Sequence, residues 1–128
     1  MIPPKLGVHK TGSSSGGTNA FVGGLDGWTV ADVTTSFSTA AVTGGSGSLI
    51  GGLLGGDGQS SLSDNYWDTT TSGADQGTGE GNESGVTGVT SRQLKSGLPA
   101  GFNPLIWAED KKINNGFPYL IANPPPKK

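Results

Sequence analysis

The chain has no cysteine among its 128 residues. This absence excludes disulfide bridges, thiolate metal sites and cysteine nucleophiles. Histidine is almost absent as well, because His9 is the single one and lies in a head of proline, glycine, serine and lysine. A catalytic histidine has to be packed in a pocket. We therefore interpret His9 as a solvated residue of a disordered segment over residues 1–18.

The net charge is small and long apolar runs are absent. The formal net charge is −2 and the basic residues are scattered along the sequence. The sequence therefore shows no basic patch of the kind that binds nucleic acid. No apolar run is long enough to cross a bilayer, so membrane insertion is not expected. The first residues, MIPPKLGVHKTG, lack the apolar core of a secretory signal. If the protein is exported, its signal lies upstream.

Glycine is abundant where aliphatic residues are few. The chain has 24 glycines, and its leucine, isoleucine, valine and phenylalanine residues together number 26. That many glycines cost backbone entropy unless tight turns or close backbone approach require them. The composition therefore favours short strands and turns around thin apolar layers.

A repeat begins near residue 19. The segment FVGGLDG, starting at Phe21, matches LIGGLLG, starting at Leu49, in kind at all but one position, which is an offset of 28. Val33 and Phe37 correspond in the same way to Leu62 and Tyr66 at an offset of 29. Such a period is typical of solenoids, propellers and arrays.

A unit of this length with glycine turns predicts one coil of a β-solenoid stacked on its neighbour. We expect residues 19–68 to form these coils, with Val22 and Ile50 in equivalent inward positions. The paired glycines of the two units should sit at bends where a Cβ would clash or φ is positive; they are Gly23, Gly24, Gly51 and Gly52.

Residues 69–88 are polar, glycine-rich and acidic, and predict a long loop. A short helix is expected over 90–96, with Thr90 as N-cap, Gln93 completing a capping box and Gly97 at C′. The segment 89–122 holds most of the large apolar residues, which predicts a small mixed C-terminal cap. Within it, Asn114-Asn115-Gly116 indicates a turn and residues 117–121 a final strand. Residues 123–128 form a solvated Pro/Lys tail.

These segments resemble a known family. The GGLxG units and the stretch SFSTAAVTGGSGSLI resemble GLUG-type repeats, and DNYWDTTTSG from Asp64 is similar to the sequence that closes such arrays. The end of the chain resembles the C-terminal segment of bacterial filamentous-haemagglutinin-like exoproteins, in SRQLKSGLPAGFNPLIWAEDKKINNGFPYLIA from Ser91. The resemblance covers about residues 20–122.

The resemblance implies a short right-handed β-solenoid (β-helix), so the expected fold class is all-β with the small mixed cap. It implies a non-catalytic structural and adhesive region of a secreted bacterial surface exoprotein, exported by two-partner secretion through an outer-membrane partner. Expected ligands are host-cell or matrix glycans and proteins, or a neighbouring bacterial surface. Two alternatives stay open: the accessory repeat region of a surface-bound polysaccharide- or peptide-cleaving enzyme whose catalytic domain is absent, or a truncated fragment without independent function.

Candidate chemistry is sparse, and we expect no catalytic residue, cofactor or metal. A glycosidic carboxylate pair among Asp57, Asp64, Asp68 and Asp75 competes with turn formation by aspartate, which we favour. Asp75, Glu80 and Glu83 do not have calcium-loop spacing.

Two residues are candidate contact sites. Asn82 begins the single N-x-S/T sequon and is a candidate glycan acceptor. Trp28 follows a glycine turn and is the candidate exposed aromatic for stacking on a sugar. Trp67 and Trp107 are expected to be buried anchors, because so few other large residues are available.

Overall fold

The computed structural model describes residues 5–6, 9–10, 12–58, 61–81 and 84–125. Within these ranges the fold is all-β, with short strands, one single-turn helix and one 3₁₀ turn. The first strands are β1 (Lys5–Leu6), β2 (His9–Lys10), β3 (Ser13–Gly16), β4 (Phe21–Gly23), β5 (Asp26–Thr29), β6 (Val33–Thr34), β7 (Phe37–Ser38) and β8 (Ala41–Gly44). They are followed by β9 (Leu49–Gly51), β10 (Leu54–Asp57), β11 (Leu62–Ser63), β12 (Asn65–Asp68), β13 (Thr78–Glu80) and β14 (Val86–Val89). The chain continues through α1 (Ser91–Leu94), β15 (Trp107–Ala108), the 3₁₀ turn (Asn114–Gly116) and β16 (Tyr119–Leu120).

Most strands pair in parallel with the strand one repeat further along the chain. Val22 lies opposite Ile50 where β4 pairs with β9, as the repeat predicts; Val22 is buried and Ile50 half-buried. Val33 lies opposite Leu62, and the pairing of β7 with β12 likewise joins the two aromatic residues predicted to correspond. The predicted equivalences are therefore confirmed as neighbouring positions in parallel sheets.

The sheets are small, and several share the same spacing. Their strand orders are β1-β6-β11, β14-β12-β7-β2, β13-β10-β5, β3-β8 and β4-β9. The offset shortens toward the C-terminus, where Leu54 lies opposite Thr78 and Asn65 lies opposite Val86. The later strands thus continue the parallel pairing with shorter connections.

Two segments expected to lack regular structure contain strands. β1, β2 and β3 lie within residues 1–18, and the polar β3 pairs with β8 from Ser13 opposite Ala41 to Gly16 opposite Gly44. The residues 69–88 contain β13 and part of β14. The predictions of disorder and of a long loop were wrong at these strands. A parallel backbone ladder is satisfied by main-chain groups of a neighbouring strand, so side-chain composition alone does not reveal it.

The paired glycines are required by close approach, as predicted. A Cβ on Gly52 would enter the Trp67 ring, and one on Gly24 would meet the Ser38 hydroxyl and the Gly52 carbonyl. A Cβ on Gly51 would lie 2.5 Å from the Gly77 carbonyl oxygen. The sheets β4-β9 and β13-β10-β5 therefore approach to backbone contact, a distance that only glycine permits.

Two clusters of buried apolar residues lie on opposite faces of the β7 and β12 strands. The inner cluster lies behind the glycine turns and comprises Leu53, Leu54, Trp67 and Val86. The lateral cluster comprises Phe37, Leu94, Phe102 and Trp107, with Tyr66 packed against it. Successive residues of a strand point to opposite faces, so one side of this sheet faces the glycines and the other faces the C-terminal segment.

The C-terminal segment packs on the outer face of this sheet, in a cluster that includes Phe37, Tyr66 and, from the edge strand β14, Val89. Leu94, Phe102 and Trp107 contact Phe37, which belongs to β7, separated from the edge strand β14 by β12. The reason is that Phe37 and Tyr66 present aromatic rings side by side on the outer face. The segment covers these rings.

The local signals in this segment were largely confirmed. Thr90 and Gln93 form the predicted capping box. The helix α1 is shorter than predicted and its C-cap is Lys95, so Gly97, with φ 151°, lies two residues beyond the cap and not at C′ as predicted. Asn115 has φ 55° in the predicted turn. β16 lies within the predicted final strand and pairs antiparallel with β15, Trp107 opposite Leu120. Residues 126–128 of the predicted tail lie outside the described residues, and no described helix is long and apolar enough to span a membrane.

Candidate functional site

An exposed aromatic platform lies on and next to the strands β4 and β5. It consists of Phe21 on β4, Trp28 on β5 and Val30 just after β5, with 45%, 45% and 50% of their surfaces exposed. The Phe21 and Trp28 rings meet edge to face with centroids 4.9 Å apart, a preferred arrangement for an aromatic pair. The structure thus places the tryptophan singled out in the sequence on the surface.

Two glycines, one in β10 and one directly after it, leave the space that the Trp28 ring occupies. A Cβ on Gly56 would collide with the six-membered ring of the indole, and one on Gly58 would lie 3.0 Å from its Cζ2 atom. The indole therefore lies against bare backbone. Trp67 and Trp107 are only 7% and 2% exposed, as expected for anchors. Trp28 is the one tryptophan of this chain that presents a ring to solvent.

An exposed carboxylate shares the row of Trp28. Trp28 lies opposite Gly56, and Gly56 lies opposite Glu80 on β13, so the three residues share one face of the sheet. Glu80 is exposed. The backbone positions of Trp28 and Glu80 are therefore about two strand spacings, roughly 10 Å, apart, and the indole ring lies over the glycine between them. Sequence reasoning placed Glu80 in a loop and did not connect it with Trp28.

The four aspartates of the candidate glycosidic set do not form a common site. Asp68 is fully buried and accepts hydrogen bonds from the Thr70 and Thr71 amides and from the Ser91 hydroxyl. It closes a turn and ties β12 to α1, which is the turn role favoured from the sequence.

The other three aspartates lie on different elements of the fold. Asp64 has φ 54°, a left-handed conformation that aspartate tolerates better than most residues. Asp57 lies on β10, and Asp75 lines a shallow cavity of about 310 Å³ with Ser48 and Gln76. Within the described residues, no three acidic or histidine side chains are grouped to hold a metal ion.

Tyr66 is fixed by the C-terminal segment. Its hydroxyl donates a hydrogen bond to the Ala100 carbonyl at 2.8 Å. Burial, and to a smaller extent the nearby Asp64 carboxylate, raise the pKa of the Tyr66 phenol above its ordinary value. The phenol is therefore held protonated as a structural donor at the edge of the lateral cluster.

Little is added by the remaining residues singled out in the sequence, which are His9, Asn82 and Glu83. The backbone of His9 lies in β2 opposite Phe37, so the residue belongs to a strand, and its side chain lies outside the description. Asn82 and Glu83 both lie outside the described residues. The candidate glycan acceptor Asn82 therefore stays a prediction from sequence.

A second cavity was not anticipated. It has a volume of about 440 Å³ and is lined by Lys95, Ser96, Glu109, Asp110, Lys111, Asn115 and Gly116. Burial raises the pKa of Glu109 above its ordinary value, opposed by a hydrogen bond from the Gly97 backbone. The Glu109 Oε1 atom is buried without a hydrogen-bond partner, so it does not face the open cavity. Asp110 accepts a hydrogen bond from the Lys112 amide, a turn role.

The chain matches no family model, no curated protein and no solved structure. The resemblance to GLUG-type repeats and to haemagglutinin-like exoproteins therefore stays a prediction from the quoted motifs. The aromatic platform is the feature of the described surface best suited to contact a ligand.

Proposed function

We propose that the parallel sheets are successive coils of a short right-handed β-solenoid. The support is the shared offset of 28, at which strands β1 to β5 each pair with a strand of the next unit. The backbone also crosses between coils at the turns, where the Leu25 amide donates to the Leu53 carbonyl and the Leu53 amide to Gly77. Each coil then stabilises its neighbour through nearest-neighbour contacts.

A solenoid should accept one more coil. Inserting a second copy of residues 33–61 after residue 61 adds one full repeat, because Val33 lies opposite Leu62. In the extended chain Gly56 still lies beneath Trp28, and the copy supplies a second Gly52 to lie against Trp67. The side chains between the stacked strands therefore keep the contacts that they have in the parent. We expect a folded monomer whose melting temperature equals or exceeds that of the parent. Circular dichroism and light scattering measure this. An unfolded or aggregated product contradicts the solenoid, and a scrambled insert of equal composition is the control.

On this scaffold we propose a structural and adhesive function without catalysis, as part of a secreted bacterial surface exoprotein. The observation that carries adhesion is the aromatic platform. A chain with few large apolar residues leaves both Phe21 and Trp28 at 45% exposure, although burying them would stabilise the fold. Asp68 and Asp110 have structural partners, which favours a binding role over hydrolysis.

Capture by immobilised surfaces tests adhesion. The purified chain is passed over neutral, amino and acidic polysaccharides and over matrix proteins, with biolayer interferometry as the readout. We expect capture by at least one class of surface. Trp28→Ala should lower the affinity about tenfold, which corresponds to a loss of about 1.4 kcal/mol in binding free energy. Leu105→Ala is the matched control, because Leu105 is 85% exposed and lies outside the platform. No capture by any surface, or equal capture of Trp28→Ala, contradicts the proposal.

A further inference from the structure

The sequence from residue 11 to residue 91 carries charge of one sign only. Residues 11–91 contain eight acidic residues and no lysine or arginine. The acidic residues are Asp26, Asp32, Asp57, Asp64, Asp68, Asp75, Glu80 and Glu83. The basic residues that bring the net charge of the chain to −2 lie outside this stretch. Lys5 and Lys10 lie in β1 and β2, whereas the strands that carry or adjoin the aromatic platform, namely β4, β5, β9, β10 and β13, contribute acidic charge only. This local charge favours cations and repels anions.

The platform itself adds to this preference. The face of a tryptophan ring attracts cations through its quadrupole and packs against apolar C–H surfaces. Glu80 stands in the same row as Trp28, where its carboxylate can accept charge-assisted hydrogen bonds from a bound ammonium group. The row thus offers an aromatic ring and an acceptor at a separation that spans neighbouring sugar units.

We infer that this row binds a glycan with free amino groups, of the poly-glucosamine type. One sugar ring stacks on Trp28, and the ammonium group of a neighbouring unit is bound by Glu80. The inference rests on the proposed adhesive function and names its ligand class. A sugar chain fits better than a cationic protein, because a stable protein interface needs about 800 Å² on each partner, whereas the exposed apolar platform consists of Phe21, Trp28 and Val30 alone.

Three oligosaccharides with the same β-1,4 linkage test the inference. They are the hexamers of glucosamine, N-acetylglucosamine and glucose, which differ at carbon 2 by an ammonium, an acetamide or a hydroxyl group. Binding is measured by calorimetry and by tryptophan fluorescence in mildly acidic buffer, where the sugar amines are charged. Fluorescence reports on Trp28, because Trp67 and Trp107 are buried.

We expect the glucosamine hexamer to bind at least about tenfold more tightly than the other two, with affinity that falls as salt is added. Trp28→Ala should weaken binding of all three by about tenfold or more. Glu80→Gln should reduce the preference for glucosamine several-fold and leave binding of the glucose hexamer unchanged. Leu105→Ala should change nothing, and equal melting temperatures show that each variant is folded.

The contrary outcomes separate this inference from adhesion in general. Equal Trp28-dependent binding of the three hexamers overturns the preference for amino sugars and keeps adhesion. Failure of all three, together with Trp28-dependent capture by another surface, overturns the ligand class alone. Tighter binding of polylysine than of the glucosamine hexamer, in competition with it, assigns the site to a cationic protein and overturns the inference.

Discussion

Replacing Trp107 with alanine is expected to lower the free energy of unfolding by about 3 to 5 kcal/mol, the usual cost of truncating a buried aromatic residue. Trp107 is 2% exposed and its ring centroid lies 4.5 Å from that of Phe102 and 5.8 Å from that of Phe37. Truncation removes the centre of the lateral cluster and leaves a cavity between the C-terminal segment and the sheet. Urea unfolding followed by circular dichroism measures the change.

A double-mutant cycle shows whether this loss reflects docking of the segment. Phe37 is fully buried in β7 on the sheet side of the cluster. Because Trp107 and Phe37 share one contact, the two alanine variants combined should cost less than the sum of their separate effects. Leu105→Ala, close to Trp107 in sequence and 85% exposed, should change stability by less than about 0.5 kcal/mol. Additive effects of Trp107→Ala and Phe37→Ala would show that the segment does not depend on this sheet face.

The second large effect is expected for Gly51→Ala. The added Cβ would clash with the Leu54 carbonyl oxygen and would lie 2.5 Å from the Gly77 oxygen and 2.7 Å from the Gly79 nitrogen. All three are backbone atoms held in paired strands, so no side chain can rotate away. We expect destabilisation of at least about 3 kcal/mol, at the upper end of the cost of overpacking, with loss of the cooperative melting transition as the extreme case.

Two other glycines provide matched controls. Gly17 has open space around the position of a Cβ and no positive φ, so Gly17→Ala should be neutral or slightly stabilising. Gly73 also has open space but φ 73°, so its alanine variant should cost about 1 to 2 kcal/mol from backbone strain alone. If Gly51→Ala costs no more than Gly73→Ala, backbone approach between the sheets is not what selects glycine there.

These two effects explain how a chain with few aliphatic residues folds. Gly51 lets two sheets meet backbone to backbone, which brings the short strands close enough for Leu53 and Leu54 to form a small inner cluster. Trp107 belongs to a separate cluster on the outer face, contributed largely by the C-terminal segment. The second cluster compensates for the thinness of the first.

Buried polar side chains also hold the units together. Asn65 is fully buried, accepts a hydrogen bond from the Ser36 amide at 3.1 Å and donates one to the Val33 carbonyl at 2.8 Å. These bonds join residues 29 and 32 positions apart and satisfy backbone groups on either side of the turn between β6 and β7. A buried asparagine with both ends paired is stabilising where an unpaired one would be costly.

The amino-acid sequence by itself determined which residues correspond at the offset of 28 and where the glycine turns and the helix cap lie. The offset of 28 placed Val22 opposite Ile50, because stacked parallel strands put equivalent residues in register. Close approach at Gly51 and Gly52 and the capping box of Thr90 and Gln93 also followed from local patterns. Each of these depends on residues near one another in sequence or on close repetition.

The tertiary structure alone decided what lies on which face. β3 forms although its sequence is polar, because its backbone groups pair with β8. Phe37 and Tyr66 point outward and receive the C-terminal segment, and Glu80 shares a row with Trp28 through Gly56. Each of these contacts joins residues whose separation in sequence differs from the offset of 28, or residues in a segment without hydrophobic periodicity. They arise from hydrogen bonds and packing between distant parts of the chain, for which local composition holds no signal.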